Sequence, residues 1–278
     1  MDRESIIRQG SVADPSAAVS LTALQAGHED SLSQFFIQLA QFGFVKVSLG
    51  PGARLDALTE GIRIGKSMGR FRFPPVGESV VYAKEHRDCF HALYSLSRAC
   101  LSWILSGVDA ETAETRFLGQ RLGEAHGNVA SLFAPDGQGH APFADTEQAF
   151  GSSFFNIFDY DYGLLNAHKD RYLVTTIFAD SDPATADQRS VLWVRGLTGR
   201  WHSVDAHLGS NEVVFMIGEE LEEILGPLNL QLYAAEHCIR VDPDGEFLSR
   251  SHFRADPATA PSGNRLSTAF ILGEPGLA

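Results

Sequence analysis

GSSFFNIFDYDYGLLNAHKDRYLVTTIFAD, residues Gly151–Asp180, marks a change of texture in the chain. Its β-branched and aromatic residues come in short runs, SSFFNIFDY and LVTTIFAD, which is the pattern of strands. Within it, NAHKDRYLVTTIF (Asn166–Phe178) sets His168 and Asp170 two positions apart at the mouth of a strand. On a strand, residues i and i+2 face the same way, so these two side chains are expected to converge on one point. Chance can supply such a pair: 10 histidines and 35 acidic residues in 278 positions give about one His-x-acid. Another occurs at His28-Glu29-Asp30.

Toward the C-terminus the strand-like runs continue: SVLWVRG, RWHSVD, EVVFMIG, LQLYAAEHCIRVD, EFLSRSHF and RLSTAFIL. Turn material such as TGR, DPDG and PATAPSGN separates them. Toward the N-terminus the period becomes helical. SLSQFFIQLAQFGF repeats Leu32, Phe35, Phe36, Leu39 and Phe42 at helical spacing, with Asp30 or Ser31 to cap it and Gly43 to end it. FVKVSL (Phe44–Leu49) alternates as a strand. ARLDALTEGIRIGKSM and KEHRDCFHALYSLSRACLSWILSG read as helices, FRFPPVGES as a loop, and the region near 111–125 as a further helix. The expected class is α+β, with helices mostly from the N-terminal half flanking a β-rich sandwich or barrel. Residues 1–150 are expected to form a helical support region of the same domain, and 151–278 its β core.

The bulk numbers fit a globular chain: 44% hydrophobic and 21% charged residues leave enough apolar mass for a core. The three cysteines, Cys89, Cys100 and Cys238, are widely spaced and form no CxxC pair, which points to a reducing, cytoplasmic setting. The N-terminal MDRESIIRQGSVAD carries no apolar core of an export signal, and no apolar run approaches the roughly 20 residues of a membrane span. A net charge of −13 and the lack of a basic stripe speak against a nucleic-acid partner.

Position separates these two His-x-Asp pairs. His28 and Asp30 stand before a helix, where a carboxylate is explained by orphan N–H groups and the macrodipole. No helical stripe follows His168 and Asp170. A histidine from another strand would complete a set of two imidazoles and one carboxylate, which leaves positions of an octahedral Fe(II) open for substrates and O2. A structural zinc site would ask for four ligands, usually with Cys. His237 (LYAAEHCIRV), His202 (GRWHSV), His207 and His252 (SRSHF) are the candidates. Near the C-terminus, NRLSTAFIL presents Arg265 and Ser267 as another i, i+2 pair. A guanidinium fork grips a carboxylate bidentately and a neighbouring hydroxyl can add a bond. The two pairs together suit a ligand that binds metal at one end and is anionic at the other.

HxD, then a later His, then RxS in the last strand resembles the 2-oxoglutarate/Fe(II)-dependent oxygenases, specifically their isopenicillin N synthase-like branch. Val174-Thr175 after the HxD is similar to the family's LT strand. VVFMIGEELEEILG (Val213–Gly226) resembles its GDxL segment, with Gly218 and Leu221 in register. AAEHCIRV resembles its ATxHRV and favours His237 as the distal ligand, and NRLSTAF resembles its RxSxxF. LAQFGFVKV is similar to the family's N-terminal FGFFxV strand. The resemblance implies a distorted double-stranded β-helix (jelly roll) with flanking helices. It implies Fe(II) on His168, Asp170 and His237, with 2-oxoglutarate chelating the metal and its far carboxylate on Arg265 and Ser267. Asn156, in the family's NxY position, is implied as a further contact to 2-oxoglutarate; here Phe158 stands where the tyrosine is expected. The gap from His237 to Arg265 is longer than the family's usual one, which keeps His252 in play.

The function the resemblance implies is a dioxygenase that uses Fe(II), 2-oxoglutarate and O2 to hydroxylate, desaturate or cyclise a small molecule, releasing succinate and CO2, with secondary metabolism as the expected setting. An aspartate at 170 favours these outcomes over halogenation. The alternatives are an Fe(II)/O2 oxidase of the same fold that does not use 2-oxoglutarate, and a metal-free jelly-roll binding protein.

Overall fold

The structure, a computed structural model, describes residues 14–67, 72–73, 84–106, 129–134, 153–159, 165–180, 191–204, 208–226, 232–240 and 266–272. The expected helix near 111–125 and the strand-like EFLSRSHF lie outside these residues, as do His207, His252 and Arg265.

The N-terminal half opens with β1 (Val19–Ser20), α1 (Leu21–Gln25) and α2 (Glu29–Phe42). The N-cap of α2 is His28, with extended backbone and no side-chain cap bond, rather than Asp30 or Ser31. Glu29 and Asp30 sit in the first turn, already helical, so their carboxylates act on the macrodipole by charge. Gly43 ends the helix as expected. It sits at φ 73, and a Cβ there would lie 2.3 Å from the Ala235 Cβ, so both the left-handed turn and the close approach require glycine. There follow β2 (Phe44–Ser48), α3 (Asp56–Ser67), β3 (Arg72–Phe73), α4 (Lys84–Ser106) and the short α5 (Val129–Leu132). Arg72–Phe73, expected in a loop, instead pairs with the next strand.

From Phe154 on, strands dominate: β4 (Phe154–Asp159), β5 (Leu165–His168), β6 (Val174–Asp180), β7 (Val191–Arg195), β8 (Trp201–Ser203) and β9 (Glu212–Ile217). Then come α6 (Glu219–Leu225), β10 (His237–Arg240) and β11 (Leu266–Leu272). The strands form a seven-stranded sheet, β1-β2-β9-β6-β11-β4-β3, and a four-stranded sheet, β5-β10-β7-β8. The β1–β2 contact is parallel; the other pairings are antiparallel.

Strand alternation sets the layers. From β9, Val213, Phe215 and Ile217 pack with Val45 and Val47 of β2 against Phe35 and Leu39 of α2 and Leu93, Leu96 and Leu101 of α4. Val214 and Met216 point the other way and, with Phe44 and Ile177, meet Leu192, Val194 and Ile239 of the small sheet. Helices thus cover one face of the large sheet and the small sheet covers the other. The N-terminal half supplies β1, β2 and β3 to the large sheet as well as the helical layer. Lys46, fully buried on β2, donates to the Ser16 carbonyl at 2.5 Å and lies 4.0 Å from Glu212, which ties the segment before β1 to the sheet. Burial lowers its pKa against the pull of Glu212 and Asp14. No helix among the described residues is long and apolar enough to cross a membrane.

Candidate metal centre

His168 and His237 are direct cross-strand partners in the antiparallel β5–β10 pair. Side chains of such a pair share a face and stand close together, and the two rings lie 4.3 Å apart between centroids. The same row continues to Val194 on β7 and His202 on β8. His202 is two strands away from His237 and packs its ring on Phe42 at 4.9 Å, outside the group.

Asp170 reaches the pair differently from the expectation. By their spacing His168 and Asp170 are expected together at the start of a strand. In the structure His168 is the last residue of β5, and Asp170 lies in the turn before β6. The carboxylate is therefore brought back by a turn, not by i, i+2 alternation. That turn is held by the N-terminus of α6. Glu219 N–H donates to the Asp170 carbonyl at 2.7 Å and Gly218 N–H to the Leu173 carbonyl at 3.0 Å. A Cβ on Gly218 would sit 1.7 Å from the Tyr172 carbonyl oxygen, so only glycine admits this approach. On the outside, Lys169 pairs with Glu222 of α6 at 3.1 Å.

The imidazoles are oriented from behind. His168 Nδ1 lies 2.8 Å from the Asn166 carbonyl and His237 Nδ1 lies 3.2 Å from the Ala235 carbonyl. A carbonyl only accepts, so in each neutral ring Nδ1 donates and Nε2 carries the lone pair. Both Nε2 atoms face Asp170: His168 at 3.5 Å from Oδ1, His237 at 3.7 Å from Oδ2. These gaps exceed the 2.7–2.9 Å or so of a charge-assisted hydrogen bond. Ligands that each lie about 2.1 Å from one divalent ion stand about 3.0–3.4 Å apart, a little closer than these gaps. All three ligand atoms lie within 4.8 Å of one another. Two nitrogens and one carboxylate oxygen fit a borderline transition metal such as Fe(II).

The electrostatics agree. The Asp170 carboxylate raises the His168 pKa against the opposing effect of burial. Burial keeps the His237 imidazole below its ordinary value despite Asp170. Burial works to raise the Asp170 pKa, but His168, the charge of His237 and the Thr175 hydroxyl together hold it below the usual carboxylate range. At neutral pH Asp170 is therefore an ionised carboxylate beside the two imidazoles. The three side chains are exposed in the order His168 36%, Asp170 17% and His237 6%, so the group opens to solvent on the His168 side.

Two members of the expected anion clamp lie on neighbouring strands. Ser267 lies on β11 in register with Ala179 and Phe158. Asn156 on β4 is opposite Ala269, which is opposite Ile177. Asn156 thus takes a register position on the face of the large sheet turned to the small one, and Ser267 lies two positions from Ala269 on that face. Arg265 precedes β11, outside the described residues.

Two further residues serve the group. Thr175 donates its hydroxyl to Asp170 Oδ2 at 2.5 Å, and Gly218 admits the turn. Both stand in motifs quoted above, and a threonine inside an apolar strand is a weak signal of such a contact.

No family model matches the chain, and no curated protein matches it. Solved structures do share its fold. A Shewanella oneidensis protein assigned as an oxygenase is 15% identical, with a TM-score of 0.54 over 94% of this chain and 90% of that one. A Caulobacter crescentus protein assigned to the 2OG-Fe(II) oxygenase family is 13% identical, with a TM-score of 0.53 over 92% and 86%. A full-length Neurospora crassa protein, solved in complex with alpha-KG, is 13% identical, with a TM-score of 0.51 over 92% and 83%. At these identities the likeness is one of fold.

Proposed function

We propose that the protein is an Fe(II)- and 2-oxoglutarate-dependent oxygenase acting on a small molecule. The observation that carries this reading is the convergence of His168 Nε2, His237 Nε2 and the Asp170 carboxylate, with both imidazoles held from behind by carbonyls. The likeness of fold to a 2OG-Fe(II) oxygenase and to a protein solved with alpha-KG supports it. We read the two facing sheets as a distorted double-stranded β-helix, with 151–278 as the catalytic core and 1–150 as its support. The isopenicillin N synthase-like branch is consistent with these neighbours.

On this reading His168, Asp170 and His237 hold Fe(II). A bound Fe(II) would supply the activation of O2 that no side chain can perform. The chain's own part is positional. The Asn166 and Ala235 carbonyls fix the ring tautomers, Asp170 contributes the negative charge, and the buried His237 side limits access so that ligands enter past His168. Arg265 and Ser267 are the proposed clamp for the distal carboxylate of 2-oxoglutarate, with Asn156 as a further contact. Hydroxylation, desaturation and ring closure are the reactions compatible with an occupied carboxylate position at 170.

Anaerobic titration with Fe(II), then 2-oxoglutarate, followed by succinate measurement on admitting O2, tests the proposal. Stoichiometric Fe(II) binding and succinate formation are expected, both lost in His168→Ala. Fe(II) binding with substrate oxidation but no succinate would favour the oxidase of the same fold. Failure to bind Fe(II) would favour a metal-free binding protein.

A further inference from the structure

The Thr175–Asp170 bond does more than complete a buried strand. Thr175 is 1% exposed, and an ionised carboxylate can only accept, so the threonine is the donor to Oδ2. The next residue has the same side chain and an unrelated task. Thr176 faces the helical layer, where its hydroxyl meets Ser97 Oγ of α4 at 2.5 Å. Adjacent residues of β6 thus send one hydroxyl to each face, one to the metal-ligand group and one to the helix packing.

Asp170 is fixed at both ends only if Thr175 is present. Its backbone carbonyl is pinned by Glu219 N–H at 2.7 Å, which leaves the carboxylate free to turn about its own side-chain bonds. The hydroxyl of Thr175 removes that freedom by occupying Oδ2. Oδ1, the oxygen on the His168 side, is then the one left without this bond.

We propose that Thr175 is a positioning residue of the metal centre, whose hydroxyl holds Asp170 Oδ2 and presents Oδ1 to a divalent cation. This rests on the reading of His168, Asp170 and His237 as a metal site. Groups that orient a ligand in this way typically change metal affinity by about 10–100-fold when removed.

Mn(II) serves as a redox-stable probe and Co(II) as a spectroscopic one, with the full chain. Thr175→Val keeps the shape and removes the donor. It is expected to weaken Mn(II) binding by about 10–100-fold and to alter the visible bands of the Co(II) protein. Thr175→Ser is expected to restore both. Thr176→Val is expected to lower thermal stability and leave Mn(II) affinity at the wild-type value. If Thr175→Val does not fold by circular dichroism, Thr175→Ala compared with Thr175→Ser decides the same question. Wild-type protein that binds neither ion overturns the metal-site reading and this role with it. Wild-type protein that binds, with Thr175→Val and Thr175→Ala binding equally tightly and with unchanged spectra, overturns the role of Thr175 alone.

Discussion

His28-Glu29-Asp30 and His168-Lys169-Asp170 are the same three-residue pattern in two regions of the molecule, and they do different things. At the first, His28 caps α2 through its backbone, and Asp30 lies exposed in the first helical turn. The two side chains belong to successive steps of a helix and have no common target. At the second, a strand ends at His168 and the chain turns back, so Asp170 meets the imidazole it follows and another from β10. A third instance, His86-Arg87-Asp88, sits inside α4, where residues two apart do not face each other. There His86 is buried and Asp88 pairs outward with Lys84 at 2.7 Å. Spacing alone therefore carries no chemistry. What matters is whether the backbone between the two residues is helix, strand or turn, and what a neighbouring strand contributes.

The contrast can be broken most directly by removing ligands. His237→Ala should cut divalent-metal affinity by more than the roughly 100-fold of an outer-shell loss, and end any Fe(II)-dependent activity. His28→Ala should leave both unchanged; equilibrium dialysis with metal analysis measures the difference.

Acid should then act on one pair alone. A protonated imidazole cannot ligate, and Asp170 raises the His168 pKa, so protons compete with the metal from a higher pH than for an ordinary histidine. Below that raised value each pH unit should cost about tenfold in metal affinity for the one competing proton. His237, whose pKa burial lowers, should not add to the competition until more acid pH. Metal-binding isotherms across the range check the slope.

A smaller effect tests how the turn is held. Gly218→Ala places a Cβ against the Tyr172 carbonyl and should destabilise the protein by about 1–3 kcal/mol while weakening metal binding. At Gly226, at the other end of α6, a Cβ would meet nothing within 4 Å, and alanine there should change stability by less than about 0.5 kcal/mol. Thermal melts with and without Mn(II) compare the two. The least change belongs to the helix-start pair. Asp30→Ala should cost about 0.3–1 kcal/mol, reduced by salt, with metal affinity unaffected.

Much of the fold was legible because its signals are local. The helical period over Leu32–Phe42, glycine at 43, and the alternating runs that became β2, β4, β6, β7, β9 and β11 all depend on residues close in sequence. In the long run LQLYAAEHCIRVD, residues 232–236 lie outside the strand, which begins at His237; the Ala235 carbonyl faces the His237 ring and its Cβ abuts Gly43. The contact with Gly43 joins distant parts of the chain, and periodicity cannot report it. The helix cap lies two or three residues before the expected Asp30 or Ser31, since the capping position is set by backbone conformation and His28 adopts it.

By itself, then, the sequence determined the long helices, most of the strands and which few residues have metal-grade donors. It could not determine how those donors meet. His168 and His237 face each other because of the β5–β10 register, and Asp170 joins them because α6 grips the turn that carries it. Thr175 serves the carboxylate because it falls on the inner face of β6 while Thr176 falls on the outer. Register and turn geometry come from packing between layers, which is a property of the whole chain, so only the tertiary structure could turn a repeated three-residue pattern into one convergent group.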